Sequence, residues 1–471
     1  MNPAALVIPV VRWHPADGYR SSEDAAAAAL DAGAGGAIIF GGTAEAAAAL
    51  TARLQDRAGR RLLLAADLER GAGQQFEGLS EFPPPGALAS LGDHAAIRAA
   101  ASVTAQEALE VGVNWVLAPV ADLDLEPANP IVQSRAFGSE PLTTSAIVRH
   151  WVEACQGAGA LACAKHYPGH GRTTGDSHTM LPAVTASADE LDRVDLEPFR
   201  GALAGGVASV MTAHVAFPAL DPTGAPATCS APIIADLRHR LGFGGLVVSD
   251  ALIMAGALEG RTESLAAEEA LAAGVDIFLY PSDPIGVARH LERRASEDAA
   301  LAARIEAALL RRVRALEVAG SPGRTADGTQ AAAGIRERVL AGGMIRGSRP
   351  RLRVPLDLVV VDDDLDGSYP PVSSAGVASQ LRHRGIPLAV GGSRVVLAFA
   401  EPRAGKGRAG FGARAGAELA EAVSGADLVV LFGHPRLAEQ VPGTVPVLGA
   451  WHRQVGMQAS VAEWLARQCA G

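Results

Sequence analysis

The chain has 471 residues, 49% of them hydrophobic, which is ample for a large buried core. A formal net charge of −10 and the lack of any basic run exclude a nucleic-acid surface. No apolar run is long enough to span a bilayer. Four cysteines, at 155, 163, 229 and 469, form no CxxC and no disulfide framework, so they read as reduced thiols. The opening MNPAALVIPVVRWHP has neither a charged leader nor a cleavage site, reads as a first strand, and makes a cytoplasmic protein the expectation.

In chain order, short apolar runs alternate with Ala-, Leu-, Glu- and Arg-rich stretches of helical composition. The strand candidates are 5–11, 37–40, 62–66, 115–120, 161–164, 209–213, 246–249 and 277–280. Between them lie helical candidates such as 22–32, 44–57, 95–111 and 145–157. Eight continuous apolar runs in strand–helix alternation predict an α/β fold, a (β/α)8 TIM-type barrel over 1–320. A polar stretch, 321–329, reads as a linker, and helical pattern resumes at 331–340, so 321–349 is a linker and connecting helix. A second alternation, with runs at 358–361, 395–399, 428–432 and 445–448, predicts a smaller α/β sandwich domain over 350–471. Within it, GKGRAGFG (405–412) lacks the order of a phosphate-binding loop and reads as a flexible surface loop.

Chemistry concentrates just after the apolar runs, where barrel enzymes keep their active sites. The third run is followed by Asp67, Glu69 and Arg70, and the fourth by Asp122 and then Arg135. The fifth is followed by Lys165 and His166, the sixth by His214 and the seventh by Asp250. Lysine occurs only at 165 and 406 in a chain that otherwise uses arginine, so position 165 calls for a compact ammonium. Lys165 with His166, Asp67 and Arg135 suits a polar clamp for sugar hydroxyls; a Schiff-base lysine is the alternative. Asp250 suits a nucleophile, a metal ligand or a helix N-cap. Asp176 and His178, on a glycine-rich loop, suit an imidazole acid/base with an orienting carboxylate, or an Asx turn. His166, His170, Asp176, His178 and His214 hold enough N/O donors for zinc, but no HExxH or HxH spacing supports a metal.

The stretch KHYPGHGRTTGDSHTMLP (165–182) closely resembles the signature of bacterial β-N-acetylglucosaminidases of glycoside hydrolase family 3, the NagZ-like branch. Further similarity follows in order: PVADLDLEPANPIVQSRAFG (119–138), MTAHVAFPALDP (211–222), PATCS (226–230) and LRHRLGFGGLVVSDALIM (237–254). The resemblance covers about residues 1–320.

It implies a retaining hydrolase for terminal β-linked N-acetylglucosamine, with cell-wall fragments as the candidate source and no cofactor or metal. Asp250 would be the nucleophile and His178, partnered by Asp176, the acid/base. Asp67, Arg135, Lys165 and His166 would hold the sugar, and His214 is a further candidate contact. Mobility of the 166–180 loop would bring His178 in over bound substrate. One departure stands out: where the family reads Asp-Gln-Glu-Gly-Gly-Arg-Val-Gln-Arg, this chain reads DLERGAGQQ, so the family's substrate-contacting Arg falls on Gln75. A β-glucosidase, a phosphorylase of the same fold and a non-catalytic sugar-binding barrel remain alternatives. Oligomeric state is not readable.

Overall fold

A computed structural model describes residues 2–320, 327–364 and 371–469. Most of the expected linker, 321–326, lies outside the described residues. The chain packs as two compact units, one of Met1–Ser80, His94–Leu125 and Ala136–Gly328, the other of Glu81–Asp93, Glu126–Arg135 and Thr329–Gly471.

The first unit is a parallel barrel. Its strands are β1 (Val7–Ile8), β2 (Val10–Arg12), β3 (Gly36–Phe40), β4 (Leu63–Ala66), β5 (Trp115–Val116), β6 (Leu161–Tyr167), β7 (Ser209–Thr212), β8 (Leu246–Ala251) and β9 (Ile277–Leu279). β1 and β2 are one apolar run divided at Pro9, which has no N–H to give a ladder. β1 pairs with β9 through Val7–Phe278, and β2 pairs with β3 through Val10–Ile38, so the divided run closes the ring.

Four runs differ from their expected bounds by two residues or more. Residues Pro3–Leu6 form a 3-10 turn capped by the Asn2 side chain, so the first strand starts at Val7 rather than at 5. The fourth run shrinks to Trp115–Val116, because Pro119 cannot donate to the neighbouring strand. β6 runs on through Tyr167, so Lys165 and His166 are strand residues instead of loop residues. β8 likewise carries Asp250 inside the strand. Among the described residues, no helix is long and apolar enough to cross a membrane.

The second unit holds a five-stranded sheet: β10 (Met344–Arg346), β11 (Leu356–Asp362), β12 (Ser393–Ala400), β13 (Leu428–Gly433) and β14 (Val447–Gly449), in the order β10-β14-β13-β12-β11. Only β10 is antiparallel, and the apolar pattern of the sequence missed it. Side chains alternate between two faces, as strand geometry demands. Leu397, Phe399, Val430 and Phe432 build one core, and Val396, Ala398, Val429 and Leu431 the other.

The carboxyl ends of β11 and β12 carry a buried charge cluster. Lys406 Nζ lies 2.8 Å from Asp364 and 3.2 Å from Asp363, and Arg453 forms a two-pronged pair with Asp362. The glycine-rich stretch 405–412 is therefore tied to the sheet by its lysine and is not the free surface loop expected from its composition. Glycine supplied the loop signal; the buried aspartates that fix it are distant in sequence.

Candidate active site

Five strands of the first unit, β4 to β8, bring their carboxyl ends to one mouth. On β6, Lys165 is buried and reaches back to the loop after β4, where Nζ lies 2.6 Å from Asp67 Oδ1 and 2.8 Å from Glu69 Oε1. An ammonium so paired is a fixed cation, not a free amine.

The next residue, His166, is oriented by Asp122. Its Nδ1 lies 2.7 Å from Asp122 Oδ2, and the backbone N–H groups of His166 and His170 both donate to Oδ1, at 3.2 and 2.6 Å. Asp122 is fully buried. Burial alone would raise its pKa, but the His166 and His170 imidazoles and these hydrogen bonds carry it below the usual carboxylate range. The other face of His166 presents Nε2 to Asp250 Oδ2 at 3.9 Å.

Asp250 accepts a hydrogen bond from the Ala251 N–H at 2.7 Å and caps no helix; the following helix starts at Ala255 behind Met254. Burial pushes its pKa up, but His166, His214 and His178 face it and bring it down to about 2. His214 on the loop after β7 is buried between Thr228 Oγ1 at 2.8 Å and the Ala251 carbonyl at 3.2 Å. Its pKa is lowered, by burial first and against the pull of Asp250, which suits a neutral ring.

The loop after β6 holds the second titratable pair. Asp176, buried, accepts from the His178 N–H at 2.9 Å and lies 2.7 Å from His178 Nδ1 through the same oxygen. The Asx turn and the orienting carboxylate are thus one contact set. A carboxylate only accepts, so Nδ1 carries the proton and Nε2 is left for the open side, where the His178 side chain is 39% exposed. His170 does not join this pair: it lies between Ser177 Oγ at 2.9 Å and Thr173 Oγ1 at 2.8 Å and braces the loop from inside.

The loop is docked, not open. Ala255 and Gly256 donate their N–H groups to the carbonyls of His178 and Ser177, at 3.3 and 3.0 Å. Met180, just beyond, is half exposed.

Gln75, standing where the family has Arg, uses both ends of its amide on backbone. Gly41 N donates to its Oε1 at 3.1 Å, and its Nε2 donates to the Asp67 carbonyl at 3.3 Å. Arg135 ends a 3-10 turn, Gln133–Arg135, in the segment that packs with the second unit, where its Nη1 donates to the Ile131 carbonyl at 3.3 Å. The structure thus groups Asp67, Lys165, His166, Asp176, His178, His214 and Asp250 in one unit, with Arg135 outside it. Two residues of this constellation, Glu69 and Asp122, were not singled out as site residues from sequence. Each is an acidic residue soon after an apolar run, and that position was the available signal. Among the described residues, no three His, Cys, Asp or Glu side chains converge as a metal site.

Comparison with known proteins bears on the family and the fold. The model of the glycosyl hydrolase family 3 N-terminal domain matches residues 8–316. The chain is 38% identical over 256 residues to a β-N-acetylglucosaminidase/β-glucosidase of Cellulomonas fimi, a match covering 52% of this chain and 45% of that protein. It therefore spans less than half of that relative's length. In structure it is similar to a glycoside hydrolase family 3 β-N-acetylglucosaminidase from Paenibacillus sp. str. FPU-7, with a TM-score of 0.83 at 24% identity over 100% of this chain and 97% of that one. A β-glucoside phosphorylase is similar at a TM-score of 0.84 and 21% identity, over 98% of this chain and 91% of that one. The two structural likenesses establish the fold, and the family match covers the barrel that holds the site. The chain belongs to glycosyl hydrolase family 3.

Proposed function

We propose that this chain is a cytoplasmic, retaining, exo-acting glycoside hydrolase that removes terminal β-linked N-acetylglucosamine, with amino-sugar glycosides of cell-wall type as substrates. The observation that supports it most is a pair of unlike groups at one mouth. Asp250 is held ionised down to about pH 2, and His178 is a solvent-facing imidazole backed by a buried carboxylate.

In the first step an Asp250 oxygen bonds to the anomeric carbon while the bond to the leaving oxygen breaks. His178 Nε2 gives its proton to that oxygen. In the second step the neutral His178 takes a proton from water, the water oxygen bonds to the anomeric carbon, and the ester to Asp250 breaks. This replaces the second carboxylate of the usual retaining pair by an imidazole. Asp176 fixes the ring with Nδ1 as donor. Lys165, His166 and Asp67 hold sugar hydroxyls. Gln75 and His214 act by shaping the mouth, since their own polar atoms are already engaged.

An imidazole, unlike a carboxylate, does not repel phosphate, so phosphorolysis is the second reading, and the fold likeness to a phosphorylase favours testing it. A lyase acting through Lys165 would need that amine released from two carboxylates. The test is a panel of aryl β-glycosides, with and without phosphate, on wild type and Asp250→Ala. Hydrolysis of the N-acetylglucosaminide that is lost in the variant supports the proposal. Full activity in Asp250→Ala overturns it, and turnover that requires phosphate replaces water as the acceptor. Sugar binding with no turnover of any glycoside marks a binding barrel.

A further inference from the structure

The loop that carries His178 is fixed at its start by Asp122, through the His170 N–H, and near its end by the Ala255 and Gly256 N–H groups. Between these fastenings lies RTTG, 172–175, which has no helical or strand structure to hold it. One side chain of this segment reaches off the loop to a buried partner. Arg172 Nε donates to both carboxylate oxygens of Asp195, at 3.1 and 2.9 Å, and its Nη1 lies 2.8 Å from Glu190. Asp195 ends the π-helical turn Leu191–Asp195 and is 3% exposed. It also borders the loop's base, where a Cβ added to Gly169 would lie 3.2 Å from the Asp195 Cβ.

A guanidinium held by two carboxylates, one just before the turn Leu191–Asp195 and one at its end, is a directional tether, which a surface lysine could not reproduce. We propose that Arg172 and Asp195 are positioning residues that set the 171–176 segment and, through the Asp176–His178 bond, the place of the imidazole. This rests on the reading of His178 as acid/base. Arg172 touches no reacting atom; it acts through the loop. Burial, against the pull of Arg172, pushes the Asp195 pKa up to about 6. An amide at 195 keeps an oxygen to accept from Arg172 but removes the charge, and protection of β6 and β8 reports whether that variant keeps the barrel folded.

The experiment compares Arg172→Gln, Arg172→Lys and Asp195→Asn with wild type and His178→Ala. Hydrogen exchange is read over 168–182, and kcat/KM is read for aryl β-N-acetylglucosaminides of differing leaving-group acidity. With Arg172→Gln or Asp195→Asn, loop amides should exchange about 10-fold faster while β6 and β8 stay protected. For poor leaving groups, which need a proton from His178, kcat/KM should fall about 10-fold or more; for the most acidic leaving group it should fall less than about threefold. Arg172→Lys should lie between Arg172→Gln and wild type. Unchanged loop exchange, or an equal loss for every leaving group, overturns the latch. If His178→Ala shows no leaving-group dependence, the acid/base reading fails, and the exchange data still decide whether the tether holds the loop.

Discussion

His166 Nε2 lies 3.9 Å from Asp250 Oδ2, with no side chain of its own element to aim it there. The aim comes from Asp122, which takes the opposite ring nitrogen at 2.7 Å. An amide at 122 keeps one oxygen for the His166 and His170 N–H groups but turns an NH2 toward Nδ1, reversing the donor and tilting the ring. Asp122→Asn should therefore lower kcat/KM by about 10- to 100-fold with the barrel folded. Steady-state kinetics beside far-UV circular dichroism checks this; wild-type kinetics would remove Asp122 from the site.

The eight apolar runs and the residues that follow them were legible because a parallel barrel buries each strand on both faces and leaves its carboxyl end for chemistry. Asp250 and Lys165 stood out for that reason, and His178 for its spacing from Asp176 on a glycine-rich loop. Asp122 was visible there but had no role, because its importance lies in three contacts to a neighbouring strand and loop, and no local pattern encodes a cross-strand partner. The short fifth strand and the divided first one turned on Pro119 and Pro9, where the missing N–H outweighs apolar character. Gln75 read as a lost cation; its ties to Gly41 and Asp67 were invisible without the fold.

Lys165 stands between two acids, and Glu69 is almost as buried as the lysine. Lys165→Met takes the ammonium from between Glu69 and Asp67, which should destabilise the barrel by about 3–5 kcal/mol. Adding Glu69→Gln to Lys165→Met should recover much of that loss but none of the activity, since the sugar clamp stays broken. Chemical denaturation and kinetics on the double-mutant cycle measure both. Recovery of activity in the double variant would mean that Lys165 serves stability alone.

Gly256 is where the continuation of β8 meets the His178 loop. A Cβ there would lie 2.8 Å from the His214 carbonyl and 3.0 Å from those of Met180 and Ser177. All three obstacles are backbone, so the loop itself must move. Gly256→Ala should cost about 1–3 kcal/mol and lower kcat more than KM changes, because the displaced element carries His178. Gly244→Ala is the control, since no atom lies within 4 Å of its Cβ position. Equal behaviour of the two variants would show that the loop's docking does not matter to turnover.

In the second unit, His434 Nδ1 accepts from the Arg436 N–H at 3.2 Å and from Arg436 Nε at 3.0 Å. Burial lowers its pKa to about 4. Protonating Nδ1 would also turn both hydrogen bonds into donor–donor contacts. The folded state therefore binds this proton less readily than the unfolded chain, whose histidine titrates near 6.5. The stability this ring permits is fully present above about pH 6.5 and is lost as pH falls toward 4, by at most about 3 kcal/mol. Glutamine at 434 offers an acceptor that does not titrate in this window. Thermal unfolding at pH 7 and pH 4.5 should show a larger drop in midpoint for wild type than for His434→Gln. Equal drops would place the acid sensitivity elsewhere, with His214, whose pKa is lowered in the same direction, as the next residue to replace.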